Sequence, residues 1–208
     1  MPDLSNDTPT TASPPPVRRA PRAQRRSQIL EAALRCFARH GYHGTTMDAL
    51  VRESGLSKGS LYWHFESKLD VALALFDALA EAIFERWEDA ARERATAPEV
   101  LREALFGTLA ALSGERDRAG VWLEFFALDE ARERIAAVYA TSRAKLARVV
   151  ADGMARGELR AVDPQATAAA LVGLGEGLAL QAMVDPDFDV LGCSDALWAL
   201  VERGLVPS

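Results

Sequence analysis

Apolar residues along this chain recur at spacings of three and four, and no segment alternates with the period of two that marks a strand. Ile29, Ala33, Cys36 and Phe37 predict a first helix over about Gln24–His40, with Gly41 behind it as a C-terminal stop. Thr45 and Thr46 then offer hydroxyls to the free N–H groups of a helix running to Gly55, and Asp48 lies three beyond Thr45 as in a capping box. Ser57 caps a very short third helix through Phe65. Ser67 caps a long fourth, with Asp70 at its third position. Further helices are predicted from a Thr96 cap with Pro98 just inside it, over Trp122–Leu128, from Ala131 to about Arg156 with Gly157 as its stop, from Asp163-Pro164 to Val184, and from about Ser194 to Arg203. The expectation is an all-α chain of about nine helices. An N-terminal three-helix unit carries a helix-turn-helix, and a larger helical domain over 69–208 follows it.

Charge divides the chain the same way. The formal net charge is -6, yet residues 17–68 hold ten Lys/Arg against four Asp/Glu, and residues 69–208 hold fourteen against twenty-four. A basic front of +6 joined to an acidic body of -10 suits a phosphate-seeking head attached to a part with another task. Residues 1–16 contain five of the ten prolines and almost nothing apolar, so a disordered tail is expected over 1–21, ending in the arginines Arg18 and Arg19. Arg22, Arg25 and Arg26 continue the run into the first helix. No apolar run reaches the roughly 18 residues of a membrane span, and the N-terminus lacks the apolar core of a secretory signal, so a cytoplasmic protein is expected. Cys36 and Cys193 stand far apart without metal-ligand spacing, and neither a metal nor a cofactor is expected.

Two helices joined by a short Gly-containing turn form either an ordinary helical hairpin or a helix-turn-helix whose second member enters the DNA major groove. Surface chemistry separates the two. At 100° per residue, Leu61 and Phe65 share one side of the third helix with Ser57 close by, while Gly59 and Trp63 point the opposite way, with Ser60 and Tyr62 on the flanks. A tryptophan on the solvent side of so short a helix, beside Lys58, Tyr62 and His64, has no role in a core. On DNA, Gly59 permits close backbone approach, Trp63 can meet a thymine methyl or a sugar, and the hydroxyl, imidazole and ammonium groups can bond phosphates.

The stretch from Thr45 to Lys68, TTMDALVRESGLSKGSLYWHFESK, resembles the DNA-binding signature of TetR-type (tetracycline-repressor) regulators in nearly every position. With the first helix and the start of the fourth, the likeness spans roughly residues 22–80. The resemblance implies a homodimer on a palindromic operator, with phosphate contacts from Thr46, Tyr62, His64 and Lys68. It places base or groove contacts at the Lys58-Gly59-Ser60 edge and Trp63, with Thr45 and Ser57 in the same DNA-binding segment, and Leu50, Leu56, Leu61 and Phe65 in the core. Trp63 stands where such proteins often have tyrosine. The implied function is a repressor released by a small-molecule effector; the alternative is a DNA-bound regulator or architectural protein without one.

The order of the C-terminal half, Trp122-Leu-Glu-Phe-Phe-Ala, Gly157-Glu-Leu-Arg, Asp163-Pro164 and Gly175-Glu-Gly-Leu, resembles that of the choline-responsive repressor subgroup. Trp87, Trp122, Phe125, Phe126 and Tyr139 are candidates to line a cavity for an apolar or aromatic effector, the alternative being plain core. Glu124, amid large apolar residues, and Glu176, between two glycines, are candidates to fix a cationic group if buried. Ala170, Gly173 and Gly177 form a small-residue strip flanked by Leu171, Leu174 and Leu178. With Leu197, Trp198 and Val201 of the last helix they are candidates for a four-helix dimer interface. An enzyme needs a cluster of nucleophile, base and orienting group. All three histidines lie in or beside the DNA-binding segment, and no phosphate loop or Ser-His-Asp order is present, so catalysis is not expected.

Overall fold

The computed structural model describes residues 22–93, 96–107, 109, 121–122, 124–185 and 187–207. The expected tail with Arg18 and Arg19 lies outside them. Every regular element among the described residues is helical: α1 (Arg22–Gly44), α2 (Met47–Ser54), α3 (Lys58–His64), α4 (Lys68–Arg92), α5 (Ala97–Arg102), α6 (Arg132–Ala155), α7 (Pro164–Val184) and α8 (Gly192–Leu205), with helical residues also at 121–122 and 124–126.

The starts and stops follow local chemistry. Ser57 accepts from the Ser60 N–H at 3.2 Å, Ser67 from Asp70 at 3.1 Å, and Asp163 from Gln165 and Ala166. Gly55, at φ 67°, ends α2 in the left-handed region, where a side chain would strain the backbone. Two local expectations shift. Gly41, at φ 69° and ψ 168°, breaks the helical path as a stop should, yet helical bonding resumes beyond it and α1 runs on to Gly44. The cap of α2 is Thr46, which accepts from Ala49 at 3.2 Å; Thr45 is buried, and Asp48 pairs with Lys58 instead of closing a capping box. After α5 the helix widens to π-type bonding over Glu103–Gly107, a change that period counting does not reveal.

Two apolar cores result. The first joins Ile29, Phe37, Leu50, Leu61, Phe65 and Phe76 to Val121, Phe125 and Leu128, so the short segment before α6 belongs to the floor of the N-terminal head. The second joins Leu101, Leu146, Val150, Leu159, Leu171 and Trp198. Because α4 contributes Val71 and Phe76 to the first core and Trp87 to the edge of the second, it connects head and body as one continuous helix.

Candidate DNA interface and ligand cavity

The third helix turns its chemistry outward. Leu61 is fully buried and Phe65 nearly so, whereas Trp63 is 65% exposed and Tyr62 is exposed beside it. Added carbon at Gly59 would meet nothing within 4 Å, so the backbone there lies open to an approaching surface. The first turn of α1 comes alongside: the Arg22 guanidinium lies 4.9 Å over the Trp63 ring, and Arg26 lies 5.5 Å over Phe65. Burial, then the charges of Arg22, Arg25 and Arg26, hold the His64 imidazole below its usual range. Lys58 pairs with Asp48 at 3.0 Å, but both groups are exposed and water and salt screen the pair, so its ammonium remains available to a phosphate. Thr46 and Ser57 accept cap bonds through oxygens whose hydroxyl hydrogens stay free to donate.

Two residues of the DNA-binding set are engaged elsewhere. Thr45 is buried, and its hydroxyl donates to the carbonyls of Gly41 at 2.8 Å and Cys36 at 3.2 Å, so it secures the broken end of α1. Lys68, expected against a phosphate, directs its ammonium at the carbonyls of Tyr42 at 2.6 Å, Thr45 at 2.8 Å and His43 at 3.4 Å, and lies 4.4 Å over the Tyr42 ring. An ammonium has three N–H groups, and these three carbonyls can take them all.

Glu124 meets the same joint from the body. Its carboxylate accepts from the Tyr42 N–H, and a Cβ at Gly41 would come within 2.7 Å of it. The Tyr42 residue is therefore held at its N–H by Glu124 and at its carbonyl by Lys68. The sequence reading of Glu124 as a partner for a bound cation is corrected: its charge is committed to the end of α1.

Behind this joint lies a cavity of about 480 Å³, enclosed by α4, the π-helical turn, the 121–126 segment, α6 and α7. That volume is in the range of sites for small organic molecules. Trp87, Trp122, Phe126, Tyr139 and Glu176 line it, with Phe84, Leu101, Leu105, Leu146 and Leu171; Glu176, a candidate cation partner if buried, is exposed at its edge. Phe125 does not: it is buried in the head's core, its ring edge-on to Phe76 at 5.3 Å. Trp122 stacks on the same Phe76 at 4.7 Å, so neighbouring aromatic residues of one segment serve core and cavity on opposite sides. The contributions of Phe84 and of Ala104 and Leu105 in the π-helical turn were not foreseen. Helical spacing shows that such residues are buried, not that the space beside them is empty.

The dimer candidates divide. Ala170 is exposed, Leu174 is 40% exposed, and Leu178 and Leu197 are partly buried. Val184 and Leu200, outside the sequence-derived set, are 73% and 66% exposed. Trp198 is instead buried in its own subunit, its ring 6.4 Å from Phe106, and Val201 packs on the same core. Gly173 and Gly177 border the cavity as well as the surface. No helix among the described residues is long and apolar enough to cross a membrane.

Comparison with known proteins agrees with this anatomy. Residues 29–75 match the family of bacterial regulatory proteins of the tetR type, and residues 97–206 match the C-terminal part of BetI-type transcriptional repressors. The fatty acid metabolism regulator protein of Bacillus subtilis is 26% identical over 182 residues, 86% of this chain and 94% of the relative. A crystal structure of FadR from Bacillus subtilis in complex with stearoyl-CoA superposes with a TM-score of 0.76 at 25% identity, covering 86% of this chain and 98% of that one. A putative regulator from Saccharomonospora viridis in complex with choline gives 0.75 at 25% identity, covering 89% and 100%. An exposed tryptophan-bearing recognition helix, a capped helix-turn-helix and a helical body with an apolar cavity are thus the parts of one known design: the chain belongs to the TetR family of bacterial transcriptional regulators, with a BetI-type C-terminal half.

Proposed function

We propose that this regulator binds a palindromic operator as a homodimer through α3 of each subunit, and that a small molecule with an apolar body, seated in the cavity, releases it. The observation that carries the reading is the pairing of an exposed Trp63, beside open backbone at Gly59, with an apolar cavity in the same subunit. Thr46, Ser57, Tyr62 and His64 supply phosphate donors, Lys58, Gly59, Ser60 and Trp63 face the groove, and Lys68 and Thr45 hold the helices that present them. Arg22, at the start of α1, lies within reach of the same DNA. The two relatives in complex with stearoyl-CoA and choline support a ligand-responsive role. An architectural protein without an effector has no use for such a cavity. No catalytic step is assigned.

Release follows from the joint. Trp122 and Phe126 border the cavity while Phe125 and Glu124 of the same segment grip the head, and α4 runs from the head at Ser67 to the cavity wall at Phe84 and Trp87. A ligand that displaces Trp122 moves Glu124 and, through Tyr42, the end of α1. The segment before α6 is thus a second route between cavity and head, beside α4.

The test is selection of duplexes from a random pool, followed by comparison of Trp63→Ala with the parent protein. Loss of one base-reading contact is expected to narrow the preference for operator over scrambled DNA by about 5–150-fold. Melting temperature and non-specific affinity should stay unchanged, because the ring is exposed. An equal loss on operator and scrambled DNA would assign Trp63 to the backbone.

A further inference from the structure

Among the described residues that line the cavity, Glu176 is the one acidic or basic side chain of the Asp, Glu, Lys, Arg and His types. It projects from α7 between Gly175 and Gly177, neither of which has a side chain to screen it. The Tyr139 hydroxyl of α6 hydrogen-bonds to its carboxyl. Five aromatic rings, those of Phe84, Trp87, Trp122, Phe126 and Tyr139, share the remaining wall. The buried leucines Leu101, Leu105 and Leu146 form its inner side, whereas Glu176 is exposed, so charge stands at the open side and hydrocarbon at the depth. Desolvation on the cavity side raises the Glu176 carboxyl above its usual range, and the Tyr139 hydroxyl opposes that.

Three kinds of occupant can be compared. A carboxylate or other anion meets a like charge at the mouth of the cavity. A neutral apolar molecule fills the depth but strips water from Glu176 and returns only the Tyr139 bond. A cation pairs with the carboxylate, and its field is also favoured by the faces of the surrounding rings.

We infer that the effector is an amphipathic cation, an apolar body with one ammonium-type head that pairs with Glu176 while the body lies against the tryptophans and leucines. The inference rests on the reading of this cavity as the effector site.

The test uses the full chain and three probes with one tail and three heads: decyltrimethylammonium, decan-1-ol and decanoate, each below its micelle-forming concentration. Isothermal titration is expected to find the cation bound at least about tenfold more tightly than the alcohol, with decanoate weakest. Glu176→Gln keeps shape and hydrogen bonding and removes the charge. It should bring the cation to within about threefold of the alcohol, whose own binding is kept or tightened because no charge is left to desolvate, and a cooperative melting transition reports that the variant is folded. Alcohol or decanoate binding as tightly as the cation would overturn the inference and leave the cavity as the effector site. A cation preference that survives Glu176→Gln would also overturn it, since attraction to the acidic body as a whole would then explain the preference. If none of the three bound, the effector reading itself would fail, and this inference with it.

Discussion

Replacing Lys68 by methionine is expected to lower the melting temperature by about 4–8 °C, from a loss of about 2 kcal/mol in a chain of this size. The ammonium serves the carbonyls of Tyr42, His43 and Thr45 just where Gly41 has broken the path of α1. Methionine keeps the apolar stem and removes every donor, so these acceptors must find water in a partly buried place. Since α3 is positioned by the joint between α1 and α4, operator affinity should fall too. The manner of the fall distinguishes the roles. A lost phosphate contact lowers the slope of log K against log salt by about 0.9. A lost positioning contact leaves that slope nearly unchanged, and this is the outcome expected from calorimetry and salt-dependent binding of the same variant.

Leu174→Arg is expected to separate the proposed homodimer and to weaken operator binding by about 100-fold or more, because two linked heads bind far more tightly than one. Leu174 stands 40% exposed on α7, and Val184 on the same helix and Leu200 on α8 expose still more apolar surface to solvent in the single chain. A soluble protein rarely leaves such a surface uncovered. Arginine there costs the subunit little, since the side chain already faces outward, but buries an unpaired charge in any helix-to-helix interface. Sedimentation should show the 22.5 kDa monomer where the parent shows twice that mass, with the melting transition of the subunit still cooperative.

What the sequence makes legible here is what short-range chemistry decides. Ser57, Ser67 and Asp163 cap helices because their oxygens reach N–H groups two or three residues on, and Gly55 and Gly157 mark ends because each takes a positive φ. The exposure of Trp63 follows from the angular step of a helix whose opposite side must bury Leu61 and Phe65. Thr45 and Thr46 are chemically alike, and only the folding of α1 over itself at Gly41 decides that one is buried and the other caps α2. Phe125 and Phe126 lie in a run that is apolar on every side, so periodicity gives no reason to send one to the core and the other to the cavity. The same holds for α7, whose apolar residues face a cavity and a solvent-exposed surface at once. Lys68 and Glu124 are 26 and 82 residues from the Tyr42 peptide they hold, a distance no local pattern spans.

The claim that joins these parts is that the cavity and the DNA-reading heads share one free energy. It is tested by measuring operator affinity with and without saturating ligand, and ligand affinity with and without saturating operator, using the compound that most raises the melting temperature in a thermal-shift screen. The two ratios should be equal and fall at about 5–150-fold, because coupling of about 1–3 kcal/mol is reciprocal. Glu124→Ala, which frees Tyr42 from the segment that borders the cavity, should shrink both ratios toward one while leaving the affinity of the DNA-free protein for the ligand intact. Ligand affinity that is the same with and without operator would contradict the account.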